Sequence, residues 1–145
     1  MGFLSGLFGG GSGKGGGGGK PDTPSGVSWG PDMPKEENQF NYPGTYREYF
    51  EHIFREDFPD YQVESDEIRK GRGVVYALAR DGKAAVIIEL MNESSEAQRM
   101  RRNCEKAGIP YLRFYYDHHG WWNTRSYVRE LIRKAIDSAP DKFPF

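Results

Sequence analysis

The sequence predicts an α/β protein with one mixed four-stranded sheet flanked by helices. Three observations predict this class. Two apolar runs flank the dipeptide Asp81-Gly82, a strong β-hairpin signal. Residues 84–88 are apolar at every position, which is typical of a central strand buried on both sides. A helical stretch separates this strand from the next apolar segment, and that arrangement favours a crossover between parallel strands.

Composition limits the folded part of the chain to one domain. Of the nineteen glycines among 145 residues, eleven lie in the first twenty, and residues 9–20 contain only Gly, Ser and Lys. Such a stretch has nothing to bury and is expected to be a flexible coil. We predict a disordered arm over residues 1–38, a single α/β domain over 39–139 and a tail over 140–145. About one hundred residues suffice for a two-layer core.

The domain is predicted to open with a helix and a short strand. Thr45 and Glu48 have the spacing of a capping box, which marks a helix start, and Pro59 follows its end. Residues 61–64 alternate as in a strand, and residues 66–73 are polar enough to predict a loop. The apolar face of the helix comprises Tyr46, Tyr49, Phe50, Ile53 and Phe54.

Three further strands and two further helices complete the predicted order, α-βββ-α-β-α. The strands are expected at residues 74–79, 83–90 and 111–115. Residues 92–95 offer N-caps for a basic helix that reaches Lys106 and stops at Gly108 and Pro110. The last helix is capped by Asn123 or Thr124, and its inward residues are Val128, Leu131, Ile132, Ala135 and Ile136.

Charge is unevenly distributed along the chain. Residues 32–67 contain eleven acids against three bases, and residues 99–134 contain nine bases against three acids, apart from His52 and the two adjacent histidines His118 and His119. This asymmetry indicates either a face for nucleic acid or two halves that attract one another across the fold. The candidate nucleic-acid-binding residues are Arg99, Arg102, Arg113 and Arg129.

The longest apolar run is too short to span a bilayer, and the first residues lack the hydrophobic block of a secretory signal. Cys104 is the only cysteine, so no intrachain disulfide can form. A cytoplasmic protein is therefore expected.

An apolar cluster precedes the glycine-rich stretch. Its spacing fits one face of a short helix, but a helix this short is marginal alone in water, so a disordered start is the favoured interpretation. The alternative is a peptide that docks on a partner protein or a membrane surface. The cluster consists of Phe3, Leu4, Leu7 and Phe8.

Glu89 is the most informative single residue. It follows the apolar run of the third strand, where an ionisable group needs a reason to be present. The order of elements around it resembles the restriction-endonuclease-like fold of the PD-(D/E)xK nuclease superfamily over residues 42–136. The resemblance is closest to the very-short-patch-repair endonuclease-like branch, in which a strand similar to Gly108–Phe114 follows the basic helix.

The resemblance implies a catalytic, metal-binding acid at Glu89 and a divalent metal, Mg²⁺ or Mn²⁺, that polarises a phosphate. In that family a lysine stands two residues after the acid, but this chain has Met91, and its second strand has no Asp. Glu48 or Glu51 and Glu64 or Asp66 are the candidate replacement ligands; Glu89, Glu48 and Asp66 form the predicted metal set.

Three functions follow as hypotheses. The departures at Met91 and in the second strand favour a non-catalytic relative of these nucleases that serves as a binding or scaffold module. The first alternative is a Mg²⁺- or Mn²⁺-dependent nuclease with relocated catalytic residues. The second is a nucleic-acid-binding protein without catalysis, whose affinity would fall steeply with salt.

Overall fold

The computed structural model describes residues 33–68, 73–92, 98–117 and 122–138. The predictions for the glycine-rich arm, the apolar N-terminal cluster and the C-terminal tail concern residues outside these ranges. The elements are α1 (Tyr46–Asp57), β1 (Gln62–Ile68), β2 (Gly73–Arg80), β3 (Lys83–Met91), α2 (Arg99–Ala107), β4 (Tyr111–Tyr115) and α3 (Arg125–Ser138).

The four strands form one mixed sheet in the order β1-β2-β3-β4. The pairs β1–β2 and β2–β3 are antiparallel, and β3 runs parallel to β4, so α2 is the crossover helix that the sequence predicts. Asp81 and Gly82 have φ values of 55° and 77°, which are the positive values that a two-residue hairpin turn requires. The α/β class, the mixed sheet and the hairpin are confirmed.

Helices cover both faces of the sheet because side chains of each strand alternate between them. On one face, α1 and α3 bury the larger core, which includes Tyr76, Ile88 and Phe114. On the other face, α2 buries a smaller cluster through Met100 and Cys104. α1 starts at the predicted capping box: Thr45 Oγ1 accepts from the Glu48 N–H at 3.1 Å, and Glu48 Oε1 accepts from the Thr45 N–H at 2.8 Å.

Two predicted boundaries are wrong. β1 continues to Ile68 through residues predicted as a loop, because its backbone pairs with β2 as far as Gly73. Its residues 62–67 are exposed or half-buried, so this edge strand carries no apolar pattern. α2 starts at Arg99 and not after residues 92–95, of which only Asn92 is described; its first buried side chain is Met100.

The segment before α1 is attached to the start of α3. The Ser126 N–H donates to Glu36 Oε2 at 2.7 Å, and the Arg125 N–H donates to the Glu37 carbonyl at 2.9 Å. The Arg125 guanidinium also makes two 3.0 Å hydrogen bonds to the two carboxylate oxygens of Asp57 on α1. These contacts join the acidic first half of the chain to its basic second half.

Within the described ranges, no helix has both the length and the apolar character needed to cross a membrane.

Candidate functional site around Glu89

Glu89 lies on β3 directly opposite Arg113 on β4. Paired residues on neighbouring strands point to the same face, and residues two apart on one strand share that face. Ile88 and Leu112 belong to the core beneath α1 and α3, so Glu89, Arg113 and Tyr111 lie on the α2 face. The register alone therefore brings an acid, a base and a phenol together.

These three side chains form a closed hydrogen-bonded triangle, which we call the Glu89 triad. Arg113 Nη2 donates to Glu89 Oε1 at 3.0 Å, and Arg113 Nε donates to the Tyr111 hydroxyl oxygen at 2.8 Å. The Tyr111 hydroxyl donates in turn to Glu89 Oε1. Glu89 is 4% exposed and Arg113 is 3% exposed. The carboxylate is thus neutralised by a neighbouring guanidinium inside the fold.

The electrostatics of the triad fix its protonation. Burial, reinforced by the charge of Glu89, holds the pKa of Tyr111 well above its ordinary value, so the phenol stays protonated and can donate. Burial alone would lower the pKa of Arg113. The interactions of the guanidinium with Tyr111 and with the Glu89 carboxylate outweigh that effect, and the net direction of the Arg113 pKa is upward. Arg113 therefore remains a cation beside Glu89.

Helix α2 shields the triad from solvent. The guanidinium carbon of Arg101 lies 4.9 Å from the centroid of the Tyr111 ring, which is a cation–π contact. Cys104 is fully buried on the same helix. Burial, with a further contribution from the charge of Glu89, raises the pKa of its thiol to about 12. At neutral pH this thiol is protonated and is not a nucleophile.

Comparison with known proteins identifies no relative. No family model, curated protein or solved structure matches this chain. Its chemistry is therefore inferred from the side chains themselves.

The three carboxylates of the predicted metal set lie in different parts of the fold. Glu48 caps α1, which covers the face of the sheet opposite to that of Glu89. Asp66 pairs with Val75, which pairs with Glu89, so two strand spacings, about 10 Å, separate Asp66 from Glu89. In the part of the chain that the structure describes, no group of three or more His, Cys, Asp or Glu side chains is arranged to hold a metal ion.

Met91 stands where the nuclease resemblance would place a lysine. It lies two residues after Glu89, on the same face of β3, and is 3% exposed. A buried thioether supplies neither a charge nor a proton to a reacting phosphate.

The four predicted nucleic-acid-binding arginines do not form one surface. Arg99 and Arg102 lie on α2 and are half-buried. Arg113 is buried in the Glu89 triad. Arg129 lies on α3, which packs on the opposite face, with its Nη1 atom 3.9 Å from Asp57 Oδ2. Arg113 and Arg129 therefore each lie beside a carboxylate of the domain itself.

Sequence reasoning named Glu89 and Arg113 as separate candidates and placed Tyr111 only within a strand, so it missed their shared role. The signal was present, because residues two apart share a strand face and the crossover helix predicts that this strand is parallel to the one carrying Glu89. The cluster around Arg125 was also missed: His52 Nε2 lies 3.2 Å from Glu37 Oε1, and its Nδ1 lies 3.1 Å from Glu56 Oε2. His52 and Glu56 are four residues apart on α1, which is a local signal, but no local spacing links them to Glu37 or Arg125.

Proposed function

We propose that this protein is a non-catalytic member of the restriction-endonuclease-like fold and acts as a binding or scaffold module. One observation carries the proposal. The Glu89 carboxylate, which the resemblance would assign to a metal, accepts hydrogen bonds from Arg113 and Tyr111 and is 4% exposed. A guanidinium at 3.0 Å supplies the positive charge that a divalent cation would otherwise bring to this carboxylate.

Met91 and α2 support the same reading. The residue in place of the lysine is buried and cannot assist a hydrolytic water. Arg101 stacks on the Tyr111 ring on the α2 side, and Glu89 beneath α2 is 4% exposed, which leaves a phosphate little access to its carboxylate. An acid in these surroundings stabilises the pairing of β3 with β4 and does not need a substrate.

The test combines cleavage with metal binding. The purified full chain is incubated with plasmid DNA, single-stranded DNA and RNA in Mg²⁺ or Mn²⁺, and Mn²⁺ is titrated into ¹⁵N-labelled protein. We expect no metal-dependent cleavage and no paramagnetic broadening centred on Glu89. Cleavage by the wild type that is absent in a folded Glu89→Gln variant, or broadening focused on this residue, would overturn the proposal and favour the relocated-site nuclease.

A further inference from the structure

The two edges of the sheet are protected differently. On β4, the Pro110 carbonyl accepts from the Ile87 N–H, and the Tyr116 N–H donates to the Met91 carbonyl. The backbone groups of these even-numbered β4 residues therefore point toward β3. Because the direction alternates along a strand, the Tyr115 carbonyl points away from β3. Asn123 Nδ2 donates to that carbonyl at 3.0 Å, and Gln39 Nε2 lies 3.4 Å from it. Side chains thus occupy this end of the β4 edge.

The opposite edge of the sheet is β1. It is seven residues long, contains no proline and pairs with β2 in unbroken register from Gln62 to Ile68. Among the described residues, no strand lies on its outer side. Alternate residues of such a strand direct their N–H and C=O groups outward, where they can pair with another chain. Natural proteins commonly shorten, bulge or kink an edge of this kind.

The protection that β1 does have is negative charge. Glu64 and Asp66 are two residues apart and share the α2 face, opposite Ala77 and Val75. Their spacing along the strand is about 7 Å. Glu67 lies on the other face, where Val63 is 37% exposed, and its Oε2 atom lies 3.1 Å from Arg47 Nη1, so its charge is already paired within the domain. Pairing β1 with the same strand of a second copy would set acids against acids, so this edge repels itself and attracts a basic strand.

We infer that the outer edge of β1 is a strand-addition site for an extended basic segment of a partner protein. The segment carries Lys or Arg at alternate positions, beside Glu64 and Asp66, and apolar or β-branched residues between them, beside Val63. Backbone hydrogen bonds supply affinity, and the alternating charges set the register. The inference gives a partner chemistry to the binding module proposed above and rests on that function.

A peptide assay on the full chain tests the inference. The probe is a labelled seven-residue peptide in which Lys alternates with Thr and Val, and the control peptide has the same composition with its lysines in one block. Fluorescence anisotropy should give the alternating peptide a dissociation constant at least about fivefold lower than that of the control peptide. The reason is that only its lysines are spaced to reach both Glu64 and Asp66 on one face. Equal binding of the two peptides would mean non-specific attraction and would overturn the inference, as would no binding of either.

Charge-reversal variants locate the contact. Glu64→Lys/Asp66→Lys should weaken binding of the alternating peptide about tenfold or more, since attraction becomes repulsion. The matched control, Glu105→Lys/Glu130→Lys, reverses one exposed acid of α2 and one of α3, and should bind as the wild type does. A loss of affinity as large in the control would place the contact elsewhere. Far-UV circular dichroism checks that both variants are folded.

Amide hydrogen exchange distinguishes strand addition from simple charge attraction. Peptide binding should slow exchange at alternate amides of residues 62–68, the ones that face outward. Binding without new protection, or protection of those amides already in the free chain, would overturn the inference. The peptide results do not depend on the Mn²⁺ and cleavage results, so the two proposals can fail separately. Metal-dependent cleavage would overturn the non-catalytic assignment, but it would not account for a peptide bound at β1.

Discussion

Arg113→Met would test whether the Glu89 triad is structural. The substitution keeps an apolar stem of similar length but leaves the Glu89 carboxylate, 4% exposed, with only the Tyr111 hydroxyl of the triad. Removing one partner of a buried ion pair costs about 3–5 kcal/mol. Since a whole domain is stable by only about 5–15 kcal/mol, most of the free energy of unfolding is at stake. Urea unfolding followed by Trp fluorescence and circular dichroism measures it.

Two companion variants make the result decisive. Arg129→Met removes an arginine whose side chain is 36% exposed and whose carboxylate partner is 3.9 Å away, and it should cost less than about 1 kcal/mol. The double variant Glu89→Leu/Arg113→Met replaces both charges with apolar groups. Its free energy of unfolding should be no more than about 1 kcal/mol below that of the wild type. If Arg113→Met costs no more than Arg129→Met, the triad does not stabilise the fold and the reasoning is refuted.

Four further outcomes are expected. Tyr111→Phe removes a hydroxyl that both donates and accepts in the triad, and should lower the free energy of unfolding by about 1–3 kcal/mol; an unchanged urea midpoint would contradict this. Thr45→Ala removes the α1 cap and should cost about 1 kcal/mol in the same assay, whereas no loss would mean the cap is dispensable. Hydrogen bonds from Arg125 hold the pKa of Asp57 below its ordinary value of about 4. The stability that the Arg125–Asp57 pair contributes is therefore present above that value, and it is lost as pH falls through the lower, folded-state pKa. Arg125→Gln should flatten that part of the acid unfolding curve, and an unchanged curve would exclude the pair as its source. Cys104 should react with a disulfide reagent only at the rate of unfolding, and fast labelling of the native protein would contradict its burial.

Much of the fold could be predicted because its signals are local. The signals for the capping box at Thr45, for the Asp81-Gly82 turn and for β3, which is apolar on both faces, each come from residues close together in the sequence. The extension of β1 could not be predicted in this way. Its side chains lie at a solvent-exposed edge, so backbone pairing with β2 fixes the strand while the sequence remains polar.

The site was predicted in position more than in chemistry. Glu89 was singled out because of the apolar strand before it, and Arg113 was named separately, but a charged residue considered alone is more often exposed at the surface. Arg113 was expected to face nucleic acid, and it is instead buried beside Glu89. The register between β3 and β4, which sets Arg113 opposite Glu89, decides between those roles. That register belongs to the folded sheet and is not visible in the residues next to Arg113.

The hydrogen bonds that Arg125 of α3 makes to Asp57 of α1 and to Glu37 bear on the order in which the chain can fold during synthesis. The Arg125–Asp57 hydrogen bonds join residues 68 positions apart, and the Arg125–Glu37 bond joins residues 88 positions apart. The meander from β1 to β3 is local and can pair as soon as it is made, but α1 completes its packing only once α3 is available. A ribosome that has released everything except the final helix therefore holds a chain whose larger core still lacks the buried side chains of α3, which are Tyr127, Val128, Leu131 and Ile132.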